Sequence, residues 1–220
     1  MELVQALQQR QSVRAFLPEV PSAALVREVI EGAAMAASGG NLQPWRVEAL
    51  TGALLTELLA VVAQAEREDD AHNPSYPPNL WEPYRSRRFE NGEDLYRSLG
   101  IGRDNKPARL QQLAKNAQFF GAPVGVFIYA DERMGLPQWL DIGIYLQSLM
   151  LVAKSRGLDT CAQGAWNNYW TVTRRILDIP EDEYIVCGMS LGYADDAAPV
   201  NTLVSEREPL SSFATFHGFD

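Results

Sequence analysis

The strongest constraint on the fold is a long helical pattern that lies between strand-like segments. Residues 139–156 place apolar side chains along a wide helical stripe, and Gly157 follows as a stop signal. Strand patterns are predicted at residues 45–50, 123–129, 159–162 and 184–192. Helical patterns at residues 2–8, 54–66, 108–119 and 171–177 alternate with them, and Ser22 is a plausible N-cap for one more helix. We therefore expect a sheet covered by helices, in an α+β or α/β arrangement.

Residues 69–105 interrupt this alternation with a segment rich in proline and aromatic residues. Its prolines oppose long regular structure, although a short helix is expected at 93–99. The aromatic content is too high for a disordered linker. Ordered loops of this length often cover active sites. We expect residues 1–220 to form one domain that carries this excursion.

The charge balance excludes some partners. The chain has a formal net charge of −9, which disfavours nucleic acid and anionic membranes as partners. Apolar runs stop well short of the roughly 18 residues of a membrane helix. Basic residues still cluster at Arg85, Arg87, Arg88, Arg97, Arg103, Lys106 and Arg109. Nearby acidic residues favour an ion-paired or solvated face there, with a site for an anionic ligand as the alternative.

Cysteine and histidine usage restricts the chemistry. Cys161 and Cys187 are too few for a disulfide scaffold or a zinc site, and a cytoplasmic location is expected. Only two histidines are present, and neither belongs to a metal-binding or hydrolase motif. We expect no bound metal and no side-chain nucleophile or base. This profile is typical of enzymes in which a cofactor carries out the difficult chemistry.

Two basic side chains and a hydroxyl form the first candidate site. Arg10, Ser12 and Arg14 alternate along a segment expected to be extended, so their side chains project to one side. Paired guanidinium groups suit a phosphate or a carbonyl-rich ring. A solvated basic turn is the alternative interpretation.

Two further segments have small and amide side chains. In residues 38–45, two glycines allow backbone amides to approach a flat ligand, and Asn41 and Gln43 can match a heterocycle edge. In residues 161–166, small residues at a strand end leave room for a ring, toward which the amide of Gly164 can point. The alternatives are a helix C-cap that leads into a strand, and a tight strand-to-helix turn.

Together these motifs resemble the FMN-dependent nitroreductase family in order and spacing. The motifs are RQSVR at 10–14, SGGNLQPW at 38–45, NAQFFGAPVGVFIY at 116–129, GLDTCAQG at 157–164, IVCGMSLGYAD at 185–195 and, last, Asn201 followed by SEREP at 205–209. The excursion, with YPPNLWEPYRSRR at 76–88, is similar to the branch that includes nitrobenzoate-type nitroreductases.

The resemblance implies a specific fold and cofactor site. The fold would be α+β, with a mostly antiparallel central sheet covered by helices, in an intertwined homodimer with FMN at the interface. The implied FMN-binding residues are Arg10, Gln11, Ser12, Arg14, Ser38, Gly39, Asn41, Asn116, Gln163, Gly164 and Arg207. Arginines would meet the phosphate or the polar ring edge, and the Gly164 amide would lie near flavin N5. The turn at 38–41 would come from the partner subunit.

The implied activity is a two-step hydride exchange. NAD(P)H would reduce flavin N5, and a small nitroaromatic, quinone or similar electron-poor acceptor would then be reduced in the same place. Trp81, Tyr84 and Tyr96 are the expected walls of the substrate pocket, and the arginines at 85, 87 and 88 are candidates to meet an acceptor carboxylate or the NADPH phosphate. The alternatives are a reductive dehalogenase, another flavin reaction on the same fold, or a non-catalytic FMN-binding homodimer.

Two residues depart from the family pattern. Ser205 stands where many members carry a lysine, so another cation, expected within 103–109, would have to assist phosphate binding. Gln163 stands where many members carry an acid, which would change the charge beside the ring.

Overall fold

A computed structural model describes residues 1–68 and 76–219. Within them, four strands form one antiparallel sheet in the order β1-β2-β4-β3: β1 (Arg46–Leu50), β2 (Val124–Asp131), β3 (Asp159–Gln163) and β4 (Glu183–Gly192). The helices of this part are α1 (Leu3–Gln9), α2 (Ala23–Ala33), α3 (Gly52–Val62), α4 (Tyr84–Ser98), α5 (Lys106–Ala114), α6 (Leu136–Ser155) and α7 (Trp170–Leu177). The predicted α+β class with an antiparallel sheet is confirmed. None of the described helices is long and apolar enough to cross a membrane.

Helices cover both faces of the sheet. On one face Val126 and Ile128 of β2 pack in a core with α2 and α6. On the other face Phe127 packs in a second core with α3 and α7. Because β2 is buried on both faces, its sequence is continuously apolar rather than alternating.

One close approach in the second core requires a glycine. The indole of Trp166, which is fully buried, lies against the backbone of β4. A Cβ at Gly188 would lie 2.1 Å from Cδ1 of Trp166, so any side chain there would force the ring to move. This contact fixes the segment that follows β3, where the candidate site begins.

The excursion is more helical than the sequence predicts. Helix α4 spans 15 residues, Tyr84–Ser98, instead of the short helix expected at 93–99. The prolines do not oppose it, because all of them precede the helix and the last one, Pro83, occupies the N-cap position. The first part of the excursion, residues 69–75, lies outside the described residues.

Helix α4 has no buried residue and is held mainly by polar contacts. Arg87 pairs with Glu208 at 2.7 Å, and the hydroxyl of Ser205 donates to Oδ1 of Asn91 at 2.7 Å. Both contacts join α4 to the C-terminal segment. Two residues after Asn91, Glu93 binds Arg109 of α5 at 2.6 Å.

Candidate active site

The segment that carries Arg10 and Arg14 runs beside the edge strand β3. Ser12 forms a parallel bridge with Thr160, and the Val13 amide donates to the Thr160 carbonyl at 3.0 Å. Val13 is fully buried, so the alternation of an extended chain directs Ser12 and Arg14 to the opposite side. The predicted extended geometry of this segment is therefore present in the fold.

Positive charge accumulates at this edge of the sheet. The pKa of Arg10 is lowered, first by burial and then by the like charge of Arg207 nearby. Both Arg10 and Arg14 act electrostatically on Cys161 of β3, although burial dominates and raises the pKa of that thiol. Within residues 1–68 and 76–219, no carboxylate pairs with Arg10, Arg14 or Arg207. Guanidinium groups gathered without an acidic partner form a favourable site for an anion.

Asn201 clamps this cationic segment to the C-terminal part of the chain. Its Oδ1 accepts from the Arg14 amide at 2.8 Å, and its Nδ2 donates to the carbonyls of Ala15 and Asp195 at 2.8 and 2.9 Å. The side chain of Gln11 donates to the Asn201 carbonyl at 2.9 Å. The side-chain amide of Gln11 is therefore used in a hydrogen bond within the protein. The positioning role of Asn201 depends on contacts with residues distant in sequence, so no local pattern predicts it.

Gln163 turns its side chain inward at the end of β3. The side chain is buried; its Nε2 donates to the Asn116 carbonyl at 2.8 Å, and its Oε1 lies 2.7 Å from the Ser190 hydroxyl. Its amide is therefore directed into the protein rather than toward the open face. The next residue, Gly164, is exposed, and a Cβ there would meet no atom within 4 Å. There is open space for a flat ligand beside the Gly164 backbone, and Gln163 ties that backbone to Asn116.

A strained turn holds Asn116 at this place. Phe119 and Phe120 adopt left-handed backbone angles, with φ of 47° and 53°, which residues with a Cβ normally avoid. The Ser190 hydroxyl reaches the Phe119 carbonyl at 2.8 Å, and the Phe119 ring stacks on Trp166 with centroids 4.3 Å apart. Asn116 is half-buried and donates from Nδ2 to the Leu113 carbonyl at 3.0 Å. Strain of this kind concentrates at functional sites.

The turn at residues 38–43 is anchored elsewhere, on α6. The Gly39 amide donates to Oδ1 of Asp141 at 3.1 Å, and the Gln43 amide donates to the Ser38 hydroxyl at 3.0 Å. Asn41 has φ of 57° and is exposed. The predicted FMN-binding residues thus form two groups in one chain, one beside β3 and one on α6.

The three aromatic residues predicted to form the substrate pocket do not lie together. Trp81 and Tyr84 meet edge to face, with centroids 5.6 Å apart, and line a cavity of about 380 Å³. Tyr96, predicted to wall the same pocket, does not line it. Tyr96 follows Tyr84 by twelve residues on α4, a separation of about 18 Å. Its ring lies 4.2 Å from the guanidinium of Arg109.

The basic cluster is mostly an ion-paired face, as its acidic neighbours indicate. Arg85 pairs with Glu82 at 2.6 Å, and Arg87 pairs with Glu208. Arg103 and Arg109 both bind Glu93, so neither is the free cation expected to compensate for Ser205. Arg88 differs, because its guanidinium lies 4.2 Å from the centre of the Tyr76 ring and no carboxylate in the described ranges binds it.

The model of the nitroreductase family matches residues 7–193. The chain belongs to the nitroreductase family. It is 40% identical over 212 residues to a 4-nitrobenzoate reductase of Pseudomonas putida, which covers 96% of this chain and 93% of that protein. It is 34% identical to a nitrobenzene nitroreductase of Ectopseudomonas oleovorans, over 96% of this chain and 94% of that one. The resemblance to the nitrobenzoate-type branch is confirmed.

Solved structures of the family share the fold closely. An FMN and NADPH-dependent nitroreductase NfnB from sphigopyxis sp. strain HMH superposes with a TM-score of 0.95 at 38% identity, over the whole of both chains. The FMN-dependent nitroreductase NfnB from Mycobacterium smegmatis, in complex with NADPH, superposes with a TM-score of 0.90 at 32% identity, over 98% of this chain and 100% of that one.

Proposed function

We propose that this protein is an FMN-dependent NAD(P)H oxidoreductase that reduces nitroaromatics, quinones or similar electron-poor acceptors. The observation that carries the proposal is the group of arginines Arg10, Arg14 and Arg207 at β3, paired with no carboxylate of the described residues, on the strand that leads to the open backbone at Gly164. Family membership and the FMN- and NADPH-dependent relatives support it.

The residues beside β3 fit the parts of FMN. Its phosphate suits the three arginines, which carry positive charge without an acidic partner in the described ranges. Its flat ring suits the space above Gly164, whose missing side chain leaves the backbone amide accessible. Asn116, tied to Gln163, is placed for a polar ring edge. These contacts involve neutral or cationic groups, as an anionic cofactor requires.

A second copy of the chain would complete the site. The turn with Ser38, Gly39 and Asn41 is anchored on α6 and not on the arginine cluster, so we propose that it reaches the flavin of a partner subunit. On α6, Leu136, Leu140 and Ile144 are 83%, 72% and 45% exposed, more than an isolated subunit would favour. We therefore propose a homodimer, each subunit a single domain of residues 1–220, with FMN at the interface.

Bound FMN would accept hydride from NAD(P)H and pass it to the acceptor. The protein groups bind this cofactor and orient it. The arginines hold the phosphate, and the inward-turned Gln163 fixes the Gly164 amide in position. No side chain is assigned the role of nucleophile or base. A cytoplasmic location is supported by two buried cysteines that are both free thiols.

The proposal is tested by the absorption spectrum of the purified, FMN-reconstituted protein under anaerobic conditions. We expect a flavin spectrum that bleaches on addition of NADPH and recovers when a nitroaromatic or a quinone is added. Free FMN with the same reagents is the control. A bound flavin that stays oxidised would contradict the reductase and favour a non-catalytic binding protein, and a protein that binds no FMN would contradict the cofactor site itself.

A further inference from the structure

The cavity of the excursion is lined by one arginine that no carboxylate of residues 1–68 and 76–219 binds. Tyr76, Leu80, Trp81 and Tyr84 form its apolar wall, and the side chains of Arg87 and Arg88 also line it. Arg87 is bound to Glu208 at 2.7 Å. Arg88 has no carboxylate partner in the described ranges and is stacked on Tyr76, with its carbon 4.2 Å from the ring centre.

The contact of Arg88 with the face of the Tyr76 ring does not require a hydrogen bond from the guanidinium. The N–H donors of a guanidinium lie in its own plane. Those donors form a fork that matches the two oxygens of a carboxylate. The neighbouring rings, Trp81 and Tyr84, meet edge to face and offer an aromatic surface at the same cavity.

Size and charge select among the possible anionic ligands. The volume of about 380 Å³ is near the lower limit for small-molecule sites and suits one substituted benzene ring better than a dinucleotide. Arg87 and Glu208 neutralise one another, so Arg88 leaves one positive charge at the cavity. One charge matches a carboxylate monoanion rather than a phosphate dianion, which favours an aromatic acceptor over the NADPH phosphate.

The helix that borders the cavity is held by the same C-terminal segment that carries Arg207. Glu208, which holds Arg87 at its edge, directly follows Arg207 of the cationic cluster. The hydroxyl of Ser205 binds Asn91 of α4 in the same region. The C-terminal segment 205–208 therefore contacts the helix that borders the cavity and also supplies Arg207 to the proposed phosphate site.

We infer that Arg88 is a specificity-determining residue that binds the carboxylate of an aromatic acceptor, with the acceptor ring against Trp81 and Tyr84. This inference rests on the proposed function and names the class of acceptor: nitroarenes that carry a carboxylate. One relative is named for nitrobenzoate and another for uncharged nitrobenzene. The inference predicts that this protein prefers acceptors of the first, charged kind.

The test compares the FMN-loaded protein with Arg88→Gln on 4-nitrobenzoate and on the neutral 4-nitrobenzamide. We expect Arg88→Gln to lower kcat/KM for 4-nitrobenzoate about tenfold to a hundredfold, the range of one lost charge-assisted hydrogen bond, and to change that for 4-nitrobenzamide less than about twofold. Arg88→Lys is expected to recover part of the loss. Arg85→Gln is the matched control, since Arg85 pairs with Glu82 and does not line the cavity.

Other outcomes overturn the inference. An equal loss with both acceptors would show a structural role for Arg88. A loss confined to KM for NADPH, with KM for NADH unchanged, would assign the arginine to the coenzyme phosphate. If kcat/KM for both acceptors stayed at the wild-type value in Arg88→Gln, Arg88 would not belong to the acceptor site.

A binding measurement separates this inference from the proposed function. Calorimetric titration with benzoate, which cannot be reduced, requires no turnover. If the protein reduced neither acceptor but bound benzoate, and Arg88→Gln weakened that binding about tenfold or more, the proposed reaction would fail and the site would stand. No detectable binding of benzoate by the wild-type protein would overturn the site as well.

Discussion

At the residue scale, single buried polar side chains hold the backbone on which the candidate site depends. Asn201 fixes the arginine segment, and Gln163 with Ser190 fixes the end of β3 to the strained turn at Phe119. Each of these side chains serves at least two partners. Replacing one would leave buried groups without a hydrogen bond, which is more damaging than the loss of the bond itself.

Ser190→Ala tests this network. The serine is fully buried, and its single hydroxyl proton lies within reach of both the Gln163 Oε1 and the Phe119 carbonyl, so its loss would leave one of these buried acceptors without a hydrogen bond. We expect the free energy of unfolding to fall by about 1–3 kcal/mol. Urea denaturation of the wild type and the variant measures the change.

Ser98→Ala is the matched control for that substitution. The hydroxyl of Ser98 bonds to the Leu95 carbonyl of its own helix, α4, which has no buried residue. Its removal should change the free energy of unfolding by less than about 0.5 kcal/mol. Equal losses in the two variants would show that Ser190 has no special role.

The sequence could not predict these residue-scale features. Ser190 occurs within a strand that is correctly predicted as buried, yet nothing in that pattern indicates which carbonyls its hydroxyl meets. Phe119 and Phe120 are poor candidates for left-handed backbone, and the pattern before them predicts a helix that continues to Phe119, whereas α5 ends at Ala114. Long-range packing on Trp166 overrides the local preference.

At the element scale, α4 is a helix without a buried residue that is attached by polar side chains along its length. The sequence predicts an ordered segment there but not a 15-residue helix, because a high density of prolines is typical of irregular structure, whereas these prolines all precede the helix. By contrast, the strands are well predicted: β2 and β4 are continuous apolar runs, and such runs suit a sheet that is covered on both faces.

The contact of Glu93 with Arg109 makes the attachment of α4 dependent on pH. The hydrogen bond from Arg109, assisted by Arg103, lowers the pKa of Glu93 from 4.5 to about 2. Because the folded pKa lies below the unfolded one, the stabilisation is complete above about pH 4.5 and is lost as the pH falls toward about 2. Carbon-13 NMR of the Glu93 carboxyl should show a midpoint near 2.

Substitution of each arginine measures how much that arginine contributes to the lowered pKa of Glu93. In Arg109→Gln the Glu93 midpoint should rise toward 4.5, because the largest cause of the shift is removed. Arg103→Gln should raise it less. A midpoint near 4.5 already in the wild-type protein would show that the contact does not persist in solution.

At the scale of the whole molecule, each proposed FMN site requires two chains. The alternation of patterns predicts a sheet covered by helices, either α+β or α/β, and the α+β class implied by the family resemblance is confirmed. The residues predicted to bind FMN remain predictions, divided between two places in the fold. A single sequence does not reveal that division, because chain order carries no information about which surface meets a second copy.

Leu140→Lys tests the dimer. This leucine is exposed on α6, and a charge there would have to be buried if α6 lies at the interface. We expect sedimentation velocity to show a shift from dimer toward monomer, with a parallel loss of bound FMN. Leu54→Lys on α3, beyond the opposite face of the sheet, is the matched control and should leave both properties unchanged. A Leu140→Lys protein that stays dimeric would remove α6 from the interface.

The central claim is that the arginine cluster beside β3 binds the phosphate of FMN. The most direct measurement is the affinity of the apo-protein for FMN and for riboflavin, which lacks the phosphate, in the wild type and in Arg207→Ala. We predict that the wild type binds FMN much more tightly, and that Arg207→Ala weakens FMN binding by about 1.5–3 kcal/mol while riboflavin binding is unchanged. Equal affinity of the wild type for the two flavins, or an equal loss of both in Arg207→Ala, would contradict the account.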